Sequence, residues 1–199
     1  MVTNYATVAN TLIMDTEPVI PKDNHLVMFL PLFHMYGLYV CGLYSHFLGA
    51  TLVIMRKFTS DDYLRLIEKY KPATIHTVPP IMVMFAKYPK VSEYDLSSVK
   101  GAVFGSALLS KEIEDVVKTK LKLPCNNQGY GMTEIGGTHV NGKDTFKYKS
   151  VGKLLPLIEI KSLPLLPFLQ FYAEFSERQN YRNYRLLLDE FKESVFQDM

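Results

Sequence analysis

The sequence predicts an α/β fold. Three observations lead there. Short apolar runs rich in Leu, Val and Ile end at proline or glycine, amphipathic segments with helix-capping residues lie between them, and the two kinds of segment alternate along the chain. Short uninterrupted apolar runs suit strands buried on both faces, as in a mostly parallel sheet with flanking helices.

Residues 1–14 read as a helix capped by Thr3 or Asn4, with Val8, Leu12 and Ile13 as its apolar face. Asp15 to Asn24 holds Pro18 and Pro21 and reads as a loop. His25 to Leu30 is the first strand, ended by Pro31, and Phe33 to Gly37 is the loop at its carboxyl end. Leu38 to Leu48 reads as a buried helix stopped by Gly49, and Ala50 to Met55 as the second strand. Thr59-Ser60-Asp61-Asp62 has the chemistry of a helix start, and Tyr63, Leu66, Ile67 and Tyr70 supply that helix's inner face. After Pro72, Ala73 to Val78 is the third strand, halted by Pro79-Pro80. A helix from Ile81 to Ala86 and a loop from Lys87 to Leu96 follow. Val99 to Phe104 is the fourth strand and runs into Gly105-Ser106-Ala107. Ser110 caps a helix that reaches about Leu121, with Ile113, Val116 and Val117 facing inward. A polar loop spans Gly142 to Ser150.

Beyond Lys161 the texture changes. Ser162 to Phe168 is a proline-broken apolar segment, and Tyr172 to Met199 reads as a charged, aromatic helix. The expected organisation is therefore an α/β unit over residues 1–161 and a tail of different character over residues 162–199.

The chain of 199 residues is 48% hydrophobic and 21% charged, the balance of a globular protein. A net charge of +2, with Lys and Arg scattered, argues against a nucleic-acid partner. Cys41 and Cys125 form no metal or disulfide pattern, which fits an intracellular compartment. Leu26 to Met55 is apolar enough to raise a membrane span, but Pro31, His34, His46 and its glycines break it into segments of different texture. No membrane span is expected.

The stretch Gln128-Gly129-Tyr130-Gly131-Met132-Thr133-Glu134 concentrates the chemistry. Glycines permit close backbone approach to a ligand, an aromatic face can stack on a base, and an adjacent hydroxyl and carboxylate can meet a phosphate and its metal ion. His34, Pro79-Pro80 and Gly105-Ser106-Ala107 each follow a predicted strand. Ligands in open α/β sheets bind at those carboxyl ends, so these residues are expected on one rim. Each has a plainer reading taken alone. Tyr130 fits a core or turn tyrosine, Thr133-Glu134 an exposed pair, His34 a satisfied loop histidine, and Gly105-Ser106 a strand-to-helix turn. His25, His46, His76 and His139 lack metal-ligand spacing and read as structural or solvent-facing.

The ordered set of motifs resembles the adenylate-forming (AMP-binding) superfamily, closest in texture to 4-coumarate–CoA ligases, acyl-CoA synthetases and beetle luciferases. The resemblance rests on Leu30-Pro31-Leu32-Phe33-His34-Met35-Tyr36-Gly37-Leu38, Gly49-Ala50-Thr51 with Lys57-Phe58, Val78-Pro79-Pro80 and Tyr94-Asp95-Leu96-Ser97-Ser98. It continues through Phe104-Gly105-Ser106-Ala107, Ser110-Lys111-Glu112, Gln128 to Glu134, and Ser150-Val151-Gly152-Lys153-Leu154. It implies the large N-terminal domain of such an enzyme, with ATP or AMP, Mg²⁺, coenzyme A and a small carboxylic acid as its ligands, and a cytoplasmic or peroxisomal setting.

The resemblance also implies roles. Tyr130 would stack on adenine, with Gly105, Ser106 and Ala107 as the backbone wall of the adenine and acyl pocket and Gly131 and Met132 completing the nucleotide site. Thr133 would hydrogen-bond the α-phosphate and Glu134 would hold Mg²⁺. Gln128 and Gly129 would floor the site shared with the acyl group, Tyr36 would border the acyl pocket, and His34 would orient the carboxylate and phosphate. Ser106 and Leu108 depart from the family pattern, where small residues and a proline are usual. The family's phosphate loop would precede Met1, and its ribose-binding stretch and C-terminal domain have no counterpart after Lys161. The C-terminus, Phe196-Gln197-Asp198-Met199, lacks a peroxisomal import signal. The expectation is a chain of ligase lineage that is inactive or much impaired alone. The alternative is a non-catalytic module that binds a nucleotide, an acyl-adenylate or a partner protein.

Overall fold

The computed structural model describes residues 2–17, 20–22, 24–107, 109–123, 125–141 and 150–160. Residues 1–158 form one compact unit and a second begins at Glu159. The expected loop between Gly142 and Lys149, Leu108, and the tail over residues 162–199 lie outside the described residues.

Helix α1 (Asn4–Met14) starts where Thr3 offers its hydroxyl to the Ala6 N–H at 3.1 Å. Its buried face is not the apolar one the sequence suggests. Val8 and Leu12 are exposed, and Asn10, Thr11 and Met14 turn inward. The reason is a backbone contact. The Asn10 amide donates to the Gly137 carbonyl at 2.8 Å and accepts from the Gly137 N–H at 3.1 Å. It thereby satisfies both polar groups of a residue 127 positions away.

Strand β1 (His25–Met28) pairs in parallel with β2 (Thr51–Ile54), in the register His25 to Thr51. The segment between them is helical, but not as one α-helix over Leu38 to Leu48. A π-helix runs from Tyr36 to Tyr44 and passes into a short α2 (Ser45–Phe47). The Ser45 hydroxyl donates to the carbonyls of Cys41 and Gly42 where the two meet. Among the described residues, no helix is long and apolar enough to cross a membrane.

Helix α3 (Ser60–Tyr70) is capped by Thr59, whose hydroxyl accepts from the Asp62 N–H at 3.1 Å. It buries Tyr63, Leu64 and Ile67, and ends at Lys71 in the left-handed region, φ 50°. Strand β3 (Thr74–Thr77) follows. Asn24 links the entries of β2 and β3: its carbonyl accepts from the Thr51 N–H and its side-chain oxygen from the Ala73 N–H, both at 2.9 Å. Pro79 and Pro80 do not merely halt β3. They are the first turn of α4 (Pro79–Lys87), where a missing N–H costs no helical hydrogen bond. The expected loop after it contains a 3₁₀ turn, Pro89–Glu93. The hydroxyls of Tyr88 and Tyr94 flank that turn and donate to one Asp61 oxygen at 2.9 and 3.2 Å.

Strand β4 (Gly101–Phe104) leads to α5 (Lys111–Leu121), which buries Val117 but leaves Val116 exposed, contrary to the expected inner face. Three strands that sequence patterning did not reveal complete the larger sheet: β5 (Cys125–Met132), β6 (Gly136–Val140) and β7 (Lys153–Leu154). Its order is β3-β4-β5-β6-β7, parallel through β3, β4 and β5 and antiparallel from β5 to β7. One apolar core packs Tyr63, Ile67, Met82, Phe85 and Val117 against Ile75 and Phe104 of the sheet. A second gathers Met14, Leu26, Met28, Tyr36, Cys41 and Tyr44.

Two outcomes follow for stability. Lys71→Gly removes a side chain from a left-handed residue and is expected to stabilise the chain by about 1 kcal/mol, read as a higher denaturant midpoint. Hydrogen bonding from Tyr88, with the nearby Lys90 ammonium, lowers the Asp61 pKa below its ordinary 3.8. A depressed folded-state pKa contributes stability above the unfolded value, and that contribution is lost as pH falls through the folded value. Asp61→Asn is therefore expected to flatten the acid limb of a stability–pH curve below about pH 4, while the profile near neutrality keeps its shape.

Candidate functional site

The site forms where β5 outruns β4. Their parallel ladder ends at the pair Phe104–Gln128. Beyond it β4 turns away through Gly105 and Ser106, while Gly129 to Met132 continue as strand, paired with β6 alone. Ser106 sits at φ 72°, a left-handed conformation that costs a non-glycine residue about 1–2 kcal/mol. On the β6 side the hairpin is tight. A Cβ on Gly131 would collide with the Gly136 carbonyl, and the ladder carries an irregularity between Tyr130 and Gly131. The turn over residues 133–135 leaves Thr133 and Glu134 exposed.

The space beside this strand end is a cavity of ≈ 290 Å³. His34 and Tyr36 line it from the start of the π-helix, and Gly105 and Ser106 from the end of β4. Gly129, Tyr130, Gly131, Met132 and Thr133 line it from β5 and its turn. The expected rim thus draws together residues from three separate segments. Pro79 and Pro80 do not line it. Ala107, Gln128 and Glu134 also stand outside the cavity wall. Gln128 is buried behind it, with its side-chain amide 3.5 Å from the Ala107 carbonyl. Glu134 is one residue beyond Thr133 on the open turn.

Two side chains have their chemistry set by their partners. The Tyr36 hydroxyl donates to the Val103 carbonyl at 3.1 Å and lies 3.2 Å from His76 Nδ1. Burial pushes this phenol well above its ordinary pKa, so it remains a donor. His34 is exposed, and its Nδ1 accepts from the Tyr36 N–H at 3.1 Å. An Nδ1 that accepts carries no proton, so the neutral ring bears its hydrogen on Nε2, as a donor for an anion.

The remaining wall was not legible as a site. Met14 comes from α1, Val40 from the π-helix, His139 and Val140 from β6, and Leu155 follows β7. Met14, Val40, Val140 and Leu155 make one side apolar, and Glu17, just after α1, adds a carboxylate to the wall, with His139 as a further polar group. His139, expected to be structural or solvent-facing, is half-buried on the cavity wall. Its place follows from the two-residue alternation of burial along Gly136 to Val140, a weak signal in so short a strand. Among the described residues, no cluster of three or more His, Cys, Asp or Glu side chains could hold a metal ion unaided.

Comparison with known proteins agrees with this architecture. The chain is 46% identical over 118 residues to 4-coumarate–CoA ligase 1 of Petroselinum crispum, a match that covers 58% of this chain and 21% of the ligase. The aligned stretch thus spans about a fifth of the curated relative's length. The apo structure of MatB from Rhodopseudomonas palustris superposes with a TM-score of 0.71 at 23% identity, covering 78% of this chain and 31% of MatB. The luciferase-like enzyme of the nonluminescent mealworm Zophobas morio superposes with a TM-score of 0.65 at 23% identity, covering 76% of this chain and 36% of that enzyme. At these identities the two structures establish the fold, that of the N-terminal domain of adenylate-forming enzymes. Residues 1–163 match the profile of the AMP-binding enzyme family, and with the fold and the strand-end cavity in agreement, the chain belongs to that family.

Proposed function

We propose that the cavity is the acyl-adenylate site of an ATP-dependent acid–thiol ligase, which activates a carboxylic acid and passes it to coenzyme A. One observation carries the reading: the end of β4, the Gly129 to Thr133 strand end, and the His34–Tyr36 pair share a single cavity with a polar and an apolar side. The 4-coumarate–CoA ligase relatives supply the reaction class. In this reading residues 1–161 are part of the adenylation domain and residues 162–199 lie outside it. An intracellular setting, where ATP and coenzyme A are available, goes with this reading.

The chemistry has two steps. A carboxylate oxygen attacks the α-phosphorus of ATP and pyrophosphate leaves. The thiol sulfur of coenzyme A then attacks the acyl carbon and AMP leaves. Tyr130, with 46% of its surface exposed, offers a face for adenine, and the Gly105 and Ser106 backbone bounds the base. Thr133 supplies a hydroxyl to the α-phosphate. The His34 Nε2–H donates to the carboxylate or phosphate oxygens. Tyr36, with Gly129 and the buried Gln128 beneath it, bounds the acyl group.

Glu134 is the residue that would hold Mg²⁺. One exposed carboxylate beside a phosphate-binding hydroxyl fits an ion that takes its other ligands from water and nucleotide. The ion supplies charge neutralisation when bound.

A second observation bears on our reading of turnover. Among the described residues that line the cavity there is no Lys or Arg. Phosphoryl chemistry relies on cations placed against the developing charge. This favours a chain that keeps an adenylate-binding site but turns over poorly alone, or that acts as a non-catalytic binding module.

Calorimetry with a non-hydrolysable acyl-adenylate mimic tests the site. Tyr130→Ala is expected to weaken binding about 5- to 150-fold, the range of one lost base–aromatic stack. Unchanged affinity would remove the stacking role. Acid-dependent pyrophosphate release is expected to be slow or absent, and robust release abolished by Thr133→Ala would overturn the claim of poor turnover.

A further inference from the structure

We infer that His139 is a nucleobase-reading residue, whose Nε2 accepts a hydrogen bond from an exocyclic amine and so selects adenine over a 6-oxopurine. The inference deepens the proposed adenylate site and rests on that reading.

Three observations converge. His139 stands directly opposite Tyr130 in the β5–β6 register, so the two side chains share a sheet face. Their rings meet edge to face, 5.8 Å apart at 67°, and both line the cavity. His139 is therefore beside the ring assigned to stack on the base, with the other ring face left to the ligand.

Proton accounting then sets the tautomer. The Thr138 hydroxyl, 1% exposed, lies 3.2 Å from the Tyr130 carbonyl and 3.0 Å from His139 Nδ1. A hydroxyl has one hydrogen, and a carbonyl can only accept. If Thr138 gave its hydrogen to His139, two oxygens would face each other lone pair to lone pair. Both contacts are separate two-centre hydrogen bonds when Thr138 donates to Tyr130 and His139 Nδ1–H donates to Thr138, and this is the arrangement we infer. The two nitrogens of an imidazole point nearly opposite ways. With Nδ1 turned to a buried hydroxyl, Nε2 turns toward the cavity as a bare acceptor whenever the ring is neutral.

This is the reverse of His34, whose Nδ1 accepts and whose Nε2 donates. One cavity thus holds a donor imidazole and an acceptor imidazole. An aminopurine nucleotide matches both, with an anionic phosphate for His34 and an amine for His139. Hypoxanthine offers an oxygen where adenine has its amine, and would meet the Nε2 lone pair with its own.

The test compares AMP with IMP by calorimetry on the full chain, at one fixed pH for every variant. The wild-type chain should prefer AMP by roughly tenfold or more, the scale of one polar mismatch. His139→Phe keeps an aromatic edge for Tyr130 but no acceptor, and should bring the preference below about threefold by the same scale. His139→Glu restores a side chain that only accepts when ionised and should restore the preference. An AMP/IMP ratio unchanged in His139→Phe, with AMP still bound, would overturn the inference alone. Absence of AMP binding by the wild-type chain would overturn the adenylate-site reading together with it. Nitrogen-15 spectra of the histidines in the wild-type chain give a check independent of any variant. They should show a protonated Nδ1 and a pyridine-like Nε2 for His139, and the opposite assignment would refute the tautomer argument.

Discussion

A strand that changes partner halfway along its length determines the rest of this structure. The first half of β5 belongs to a parallel sheet, bonded to β4 through Gln128. The second half belongs to an antiparallel hairpin with β6. A strand can serve both because its two edges are independent donor and acceptor rows. Where the β4 ladder stops, Gly105 still packs close to the Gly129 carbonyl, and the strand end beyond them opens on the cavity. The cavity lies there, lined by side chains and backbone from both strands.

The other walls reach that point through a few polar ties between distant segments. Asn10 fixes α1 to the β6 backbone, Asn24 joins the entries of β2 and β3, and the Tyr36 hydroxyl joins the π-helix to β4. Each meets a backbone group that would otherwise be desolvated without a partner, a state costing about 1–3 kcal/mol. Directional bonds at these places fix relative position in a way that apolar packing alone does not. They explain why α1 turns a polar face inward and leaves Val8 and Leu12 exposed.

The parts of the fold legible in the sequence were those governed by local rules. Apolar runs marked β1 to β4, and Thr59 and Ser110 marked the starts of α3 and α5, because burial and capping act within a few residues. Strands β5 and β6 were not legible. These glycine-rich segments hold few of the branched and aromatic residues that signal a strand, Tyr130 in β5 and Thr138 and Val140 in β6, and their pairing depends on residues far away in the chain. The inner face of α1 was misread for the same reason, since Asn10 is committed by a glycine 127 positions distant. The site divides along this line. Residues recognisable as a motif, Gly129 to Thr133 with His34 and Gly105-Ser106, fall on the cavity, while Met14, Val40, His139 and Leu155 reach it through tertiary structure alone.

The π-helix over Tyr36 to Tyr44 bears on how this segment tolerates insertion and deletion. A π-helix is wider than an α-helix, with more residues in each turn. Deletion of one residue inside it would let the segment relax to ordinary α-helical winding. The wider winding takes up the extra residue, so that deletion leaves the two flanks close to their present facing, whereas loss of a residue from an α-helix turns one flank by about 100°. An insertion has no such reserve, because Tyr36 lies at the amino end and cannot turn while its hydroxyl keeps the Val103 carbonyl. The segment thus absorbs shortening by one residue without moving the cavity wall, and lengthening would move it.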